Sequence, residues 1–152
     1  MSAKKGNSAK EKVVNLLVEA LGLEFNAIVQ YQTFAFSTKL GDYRSEKVGE
    51  LFAELATDET GDLKKYTEWV TNLGENVKTN LPIEIMMTDN ATKMLECAIK
   101  MEKDGIRKYR EILNAIKEDS TALDIDAEGL FHLVIHIIID EEEHVRKLTR
   151  LL

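Results

Sequence analysis

Proline occurs once in this 152-residue chain, at Pro82, and glycine only 8 times. So few breakers suit long helices and leave too few turn residues for a many-stranded β fold. Four stretches carry the apolar repeat of an amphipathic helix, and no useful length of strand-like alternation is present. The first stretch begins at the capping-box pattern Ser8-Ala9-Lys10-Glu11 and runs to Leu40, with Gly41 as its stop. The second spans about Ser45 to Leu73, ahead of Gly74. The third starts near Asp89, a candidate N-cap, and reaches about Lys117. The fourth begins near Asp126 and runs to the C-terminus. Glu75 to Thr88 holds the proline and little helical pattern, but it is long enough to cross from one end of a bundle to the other. With such a crossover, helices two and three run parallel, in up-down-down-up order. An up-down-up-down bundle is the alternative.

The chain has one domain's worth of residues, 44% of them hydrophobic and 31% charged, which is a globular composition. Residues 1–7 are expected to be a flexible tail and 8–152 the bundle. The formal net charge of −7 repels a phosphate backbone, so nucleic-acid binding is not expected. The N-terminus lacks the apolar stretch of a signal peptide, and no segment is expected to span a bilayer. Cys97 has no partner for an intrachain disulfide, which fits a reducing, cytoplasmic setting.

Each helical stripe has gaps filled by acidic residues or a histidine. Glu24 is in phase with Leu17, Leu21, Ile28 and Tyr31. Glu59 and Asp62 are in phase with Leu55 and Tyr66, Glu102 with Ala98 and Ile106, and Glu141 and His144 with Ile137 and Leu148. An ionised carboxylate inside a bundle is costly unless a cation or hydrogen-bond partner offsets it. Residues three apart share a helix face, so Glu59/Asp62 and Glu141/His144 can each offer two ligands to one centre. One Glu from each of two helices, with a Glu-x-x-His pair from each of the other two, is the dinuclear carboxylate arrangement of bundles. Here one pair is Glu-x-x-Asp. Oxygen ligands with imidazole suit iron or manganese. Four Glu and one Asp outweigh the charge of two divalent ions, so Asp62 either favours a more oxidised pair or stays protonated. Asp58 and Asp140 each precede a ligand-type Glu and are candidates to accept a hydrogen bond from a coordinating imidazole. His132 and His136 lie off the inward stripe and are not assigned to the site.

These residues resemble the ferritin, bacterioferritin and rubrerythrin superfamily. Leu23-Glu24-Phe25-Asn26-Ala27-Ile28-Val29-Gln30-Tyr31 is similar to the first-helix motif of bacterioferritins, Met101-Glu102-Lys103-Asp104-Gly105 to their third-helix motif, and Asp140-Glu141-Glu142-Glu143-His144 to their fourth. The resemblance implies an all-α ferritin-like four-helix bundle with a long crossover between helices two and three. It also implies two iron ions per chain, with manganese as the alternative metal. Glu59 and Glu141 would bridge, Glu24 and Glu102 cap, and Asp62 and His144 complete the two centres. Family members usually carry His where Asp62 stands. Thr60 occupies the position of the haem-binding Met of bacterioferritins, so no haem is expected. Ile99 and Gly105 stand where rubrerythrins carry an extra Glu, and no Cys-x-x-Cys occurs.

The implied function is ferroxidase-type oxidation of Fe2+ by O2 or H2O2, for iron storage or detoxification. Tyr31 is the candidate catalytic side chain, as electron or hydrogen-bond donor. A diiron or dimanganese oxidoreductase or peroxidase without mineral storage is the second possibility, and a metal-free partner-binding bundle the third. A second apolar line (Val14, Val18, Phe25, Val29, Phe36) and the apolar first half of helix four predict a homo-oligomer, with a cage as the family expectation.

Overall fold

Four helices form on the four periodic stretches. The computed structural model describes residues 2–38, 43–73, 83–118, 120–123 and 126–152. The helices are α1 (Ser2–Ser37), α2 (Tyr43–Asn72), α3 (Ala91–Glu118) and α4 (Ala127–Leu151), with a 3-10 turn at Ser120–Ala122.

Three boundaries differ from expectation. α1 begins at Ser2, so the Ser8 pattern lies inside it and residues 2–7 of the expected tail are helical. Ala3, Lys4 and Lys5 are strong helix formers, and Gly6 alone costs only about 1 kcal/mol. α1 ends at Ser37 rather than Leu40. Gly41, Gly74 and Pro82 lie outside the described residues. The N-cap of α3 is Asn90, not Asp89: Asn90 Oδ1 accepts a hydrogen bond from the Lys93 N–H at 2.9 Å. Either side chain can cap, and the one that falls directly before the first helical residue does so. Asp126 does precede α4, though its side chain makes no capping bond.

Two apolar clusters fix the helix directions. One joins Val13, Leu17 and Leu21 of α1 to Tyr66 and Val70 of α2, Ile112 and Ile116 of α3, and Leu130 and Val134 of α4. The other joins Tyr31 and Phe34 to Val48, Phe52 and Leu55, to Met94 and Leu95, and to Leu148. The first half of α1 therefore meets the second halves of α2 and α3 and the first half of α4. This is the up-down-down-up order, with the end of α2 and the start of α3 at opposite ends of the bundle. α1 and α2 approach closely near their joined ends, where a Cβ at Gly49 would collide with the Thr38 hydroxyl. The carboxylates singled out above lie between the two clusters, at mid-bundle.

α1 calls for one correction. Lys10–Ser37 has the length and apolarity of a membrane span, with a mean hydropathy of 1.4. It is so apolar because it serves two faces. Val13, Leu17, Ala20 and Tyr31 enter the core, as does Val14, which the sequence suggested for an outer face. Phe25 (41% exposed) and Phe36 (67% exposed) stay on the surface, as does Ile139 of α4.

Candidate metal centre

Glu24, Glu59, Asp62, Glu102, Glu141 and His144 are all buried, none more than 3% exposed. Each sits on the inward phase of its helix, one turn from a core residue, so packing of the two apolar clusters carries it inward. Glu59, Glu102, Glu141 and His144 converge, with one ligand-type atom from each within 4.8 Å of the others. His144 Nδ1 is 3.1 Å from Glu59 Oε1 and 3.7 Å from Glu102 Oε2. The other ring nitrogen, Nε2, is 3.5 Å from Asp58 Oδ2 at the half-exposed edge of α2. One side of the imidazole thus faces the cluster and the other a carboxylate able to fix its orientation. Tyr31 donates a 2.5 Å hydrogen bond to Glu102 Oε1.

Most of the remaining polar atoms lack partners. Glu24 Oε1, both oxygens of Glu59, Glu141 Oε1 and His144 Nδ1 are buried without a hydrogen bond. Leaving such atoms unpaired costs about 1–3 kcal/mol each, more for charged groups, so several gathered in one place call for a cation. The donor set, carboxylate oxygens with one imidazole nitrogen, suits a hard or borderline divalent metal.

Electrostatics lead to the same place. Burial, with Glu59 beside it, pushes Glu24 well above the ordinary glutamate range. Burial, with Glu102 beside it, does the same to Glu141. Burial also raises Glu59, although Glu24 and His144 oppose it. Burial disfavours the ionised form of Glu102, yet the Glu141 carboxyl and the His144 imidazole beside it and the hydrogen bond from Tyr31 hold it below the usual range. Burial disfavours charge on His144, but Glu102 and Glu59 push it up to about 10. Without metal, protons on Glu24, Glu141 and His144 therefore stand in for positive charge.

Asp62 differs. It is buried, but Lys65 Nζ lies 2.7 Å from its Oδ1. It lines a groove between α2 and α4 with Asp58, Asp140 and Lys147, on the far side of His144. Burial raises Asp62 and Lys65 opposes the rise. Sequence reasoning overlooked Lys65, although its i, i+3 spacing from Asp62 is a readable signal. It named Tyr66 only as a stripe residue, yet that hydroxyl is buried and unpaired near the carboxylates. The exposed His132 and His136 rings meet edge to face 4.5 Å apart, away from the cluster.

A second opening lies between α1 and α3. A cavity of about 520 Å³ is lined by Glu24, Tyr31, Glu59, Glu102 and Glu141 on one side and by Ile85, Met86, Cys97 and Met101 on the other.

The ferritin-like domain family matches residues 14–152. A ferritin-like, diiron-carboxylate protein from Bacillus anthracis has the same fold, with a TM-score of 0.80, 24% identity, and coverage of 95% of this chain and 97% of that one. A Rhodobacter capsulatus bacterioferritin, described with a metal-free dinuclear site and haem iron, has a TM-score of 0.76 and 25% identity, covering 92% of this chain and 82% of its own. No curated protein matches in sequence.

Proposed function

The chain is a member of the ferritin-like domain family, and from that premise we propose that its mid-bundle carboxylates bind two iron ions, where O2 or H2O2 oxidises Fe2+. The observation that carries this is the set of buried, unpartnered ligand atoms on Glu24, Glu59, Glu141 and His144. The dinuclear site described for the similar bacterioferritin supports it.

Glu59, Glu102, Glu141 and His144 hold the ions, with Glu24 beside Glu59 and Asp62 on the outer side of His144. Fe2+ is the substrate, and each ion loses one electron to O2 or H2O2. The chain's own groups set the conditions. The buried carboxylates stabilise the higher oxidation state, since more positive charge answers more of their negative charge. Asp58 orients the imidazole so that Nδ1 faces inward. Tyr31 holds Glu102 in one rotamer, and its role as an electron donor is testable by loss of a tyrosyl signal in Tyr31→Phe. The apolar surface around Phe25, Phe36 and Ile139 suits a homo-oligomer, and a cage would store the oxidised product. A cytoplasmic setting fits the single thiol.

The cavity beside the cluster favours a second reading, a diiron or dimanganese oxidoreductase acting on a small molecule, because storage alone needs no such space. Anaerobic Fe2+ titration followed by O2, on the chain and on Glu59→Ala and His144→Ala, tests the metal reading. Saturation near about two Fe2+ per chain, lost in both variants, is expected. Unchanged uptake in the variants sinks it. Mineral loading after excess Fe2+ then separates storage from small-molecule turnover.

A further inference from the structure

Gln30 is polar, sits in the middle of α1, and is only 1% exposed. Its side-chain amide is spent on one backbone residue. Gln30 Nε2 donates to the Met86 carbonyl at 3.0 Å, and Gln30 Oε1 accepts from the Met86 N–H at 2.7 Å. The pairing copies one rung of a β ladder, made between a side chain and the end of the α2–α3 crossover. Residues 83–90 have no regular secondary structure. Among the described residues, no other hydrogen bond ties 83–87 to a helix.

What this strap covers gives the pairing its meaning. Glu84, Ile85 and Met86 line the same 520 Å³ cavity that Glu24, Glu59, Glu102 and Glu141 line from below. We propose that Gln30 is a specificity-determining residue: by pinning residues 84–86 across the α1–α3 opening, it sets the size of molecule that reaches the carboxylate cluster. Small uncharged molecules such as O2 or H2O2 pass with the strap closed. Bulkier molecules enter only when Met86 leaves Gln30. A covalent loop closure would shut the opening permanently; two hydrogen bonds of ordinary net strength make it reversible. The proposal rests on the cluster being the chain's working centre.

Cys97 is the chain's single cysteine and is half-buried on the lining of this cavity, so the change in its labelling between variants reports on the opening. The full chain is treated with a small thiol reagent (iodoacetamide) and a bulky one (a fluorescein maleimide). Gln30→Leu removes both hydrogen bonds at nearly constant volume, and Met86→Pro removes one from the other partner. Met87→Ala, at an exposed neighbour, leaves the pairing intact. Labelling of Cys97 by the bulky reagent should rise roughly tenfold in Gln30→Leu, by less in Met86→Pro, and not at all in Met87→Ala. The small reagent should react at nearly the same rate in all four proteins. Equal bulky-reagent rates in Gln30→Leu, Met86→Pro and the parent chain, with all of them folded by circular dichroism, overturn the strap. Equilibrium Co2+ binding to the parent chain is measured alongside. No binding there overturns the metal reading, whichever way the labelling falls.

Discussion

The two sides of His144 are built from the same residue types and behave oppositely. On the inner side, Glu59, Glu102 and Glu141 gather around Nδ1, and both oxygens of Glu59, one of Glu141 and the nitrogen itself have no hydrogen-bond partner. On the outer side, Asp62 is as deeply buried, yet Lys65 already holds it at 2.7 Å. Burial of a carboxylate therefore does not mark a ligand by itself. What separates the sides is the kind of compensation: a fixed lysine ammonium on the outer side, and on the inner side protons that a metal ion can displace. The charge excess expected with Asp62 in the set has a local answer, since the Lys65 ammonium offsets one negative charge.

Metal binding should depend most on the inner side. Glu59→Ala or Glu141→Ala should weaken Co2+ or anaerobic Fe2+ binding by about a hundredfold or more, measured by isothermal titration calorimetry. Asp58→Asn should cost less, about tenfold, because it only loosens the orientation of His144. A loss in Asp58→Asn equal to that in Glu59→Ala would move the centre to the outer side.

Metal should also displace the protons held by Glu24, Glu141 and His144. Binding should release about two to three protons per chain and strengthen as pH rises. Titrations in buffers of different ionisation enthalpy count them, and release of none contradicts the electrostatics described above. In the metal-free chain the sign reverses. Glu24 and Glu141 are raised above 4.5, and His144 from 6.5 to about 10. Their stability contributions are complete below the unfolded values and are lost as pH rises through the folded ones. Glu102, held low, works the other way, but it stands alone. The melting temperature of metal-free protein should therefore fall as pH rises from about 5 to about 10, and metal should restore it. Glu141→Gln should raise the metal-free melting temperature near neutral pH by about 2–4 °C while abolishing the metal-induced rise.

The smallest effect sharpens the contrast. Lys65 is half-exposed, so Lys65→Met should change stability by less than about 1 kcal/mol. It should nevertheless free Asp62 and tighten binding of the last metal equivalent severalfold. No change in that equivalent would exclude Asp62 from the centre.

Much of this was legible in the sequence, and the rest was hidden for identifiable reasons. Glu24, Glu59, Glu102, Glu141 and His144 were readable because each interrupts an apolar stripe at helical phase, and the stripe itself decides which side faces inward. Helix ends were less readable: Asp89 and Asn90 are both good caps, and Ala3, Lys4 and Lys5 carry no pattern until α1 extends through them. Whether Asp62 is partnered depends on a rotamer of Lys65, which periodicity does not encode. The Gln30–Met86 pairing joins residues 56 apart, one of them in a segment without repeat, so nothing local announced it.

The most direct measurement is anomalous diffraction at the iron edge from crystals soaked anaerobically in Fe2+. Strong density is expected between Glu59, Glu102, Glu141 and His144, extending toward Glu24. Density confined to the groove of Asp58, Asp62 and Asp140, or none inside the bundle at all, would contradict that placement.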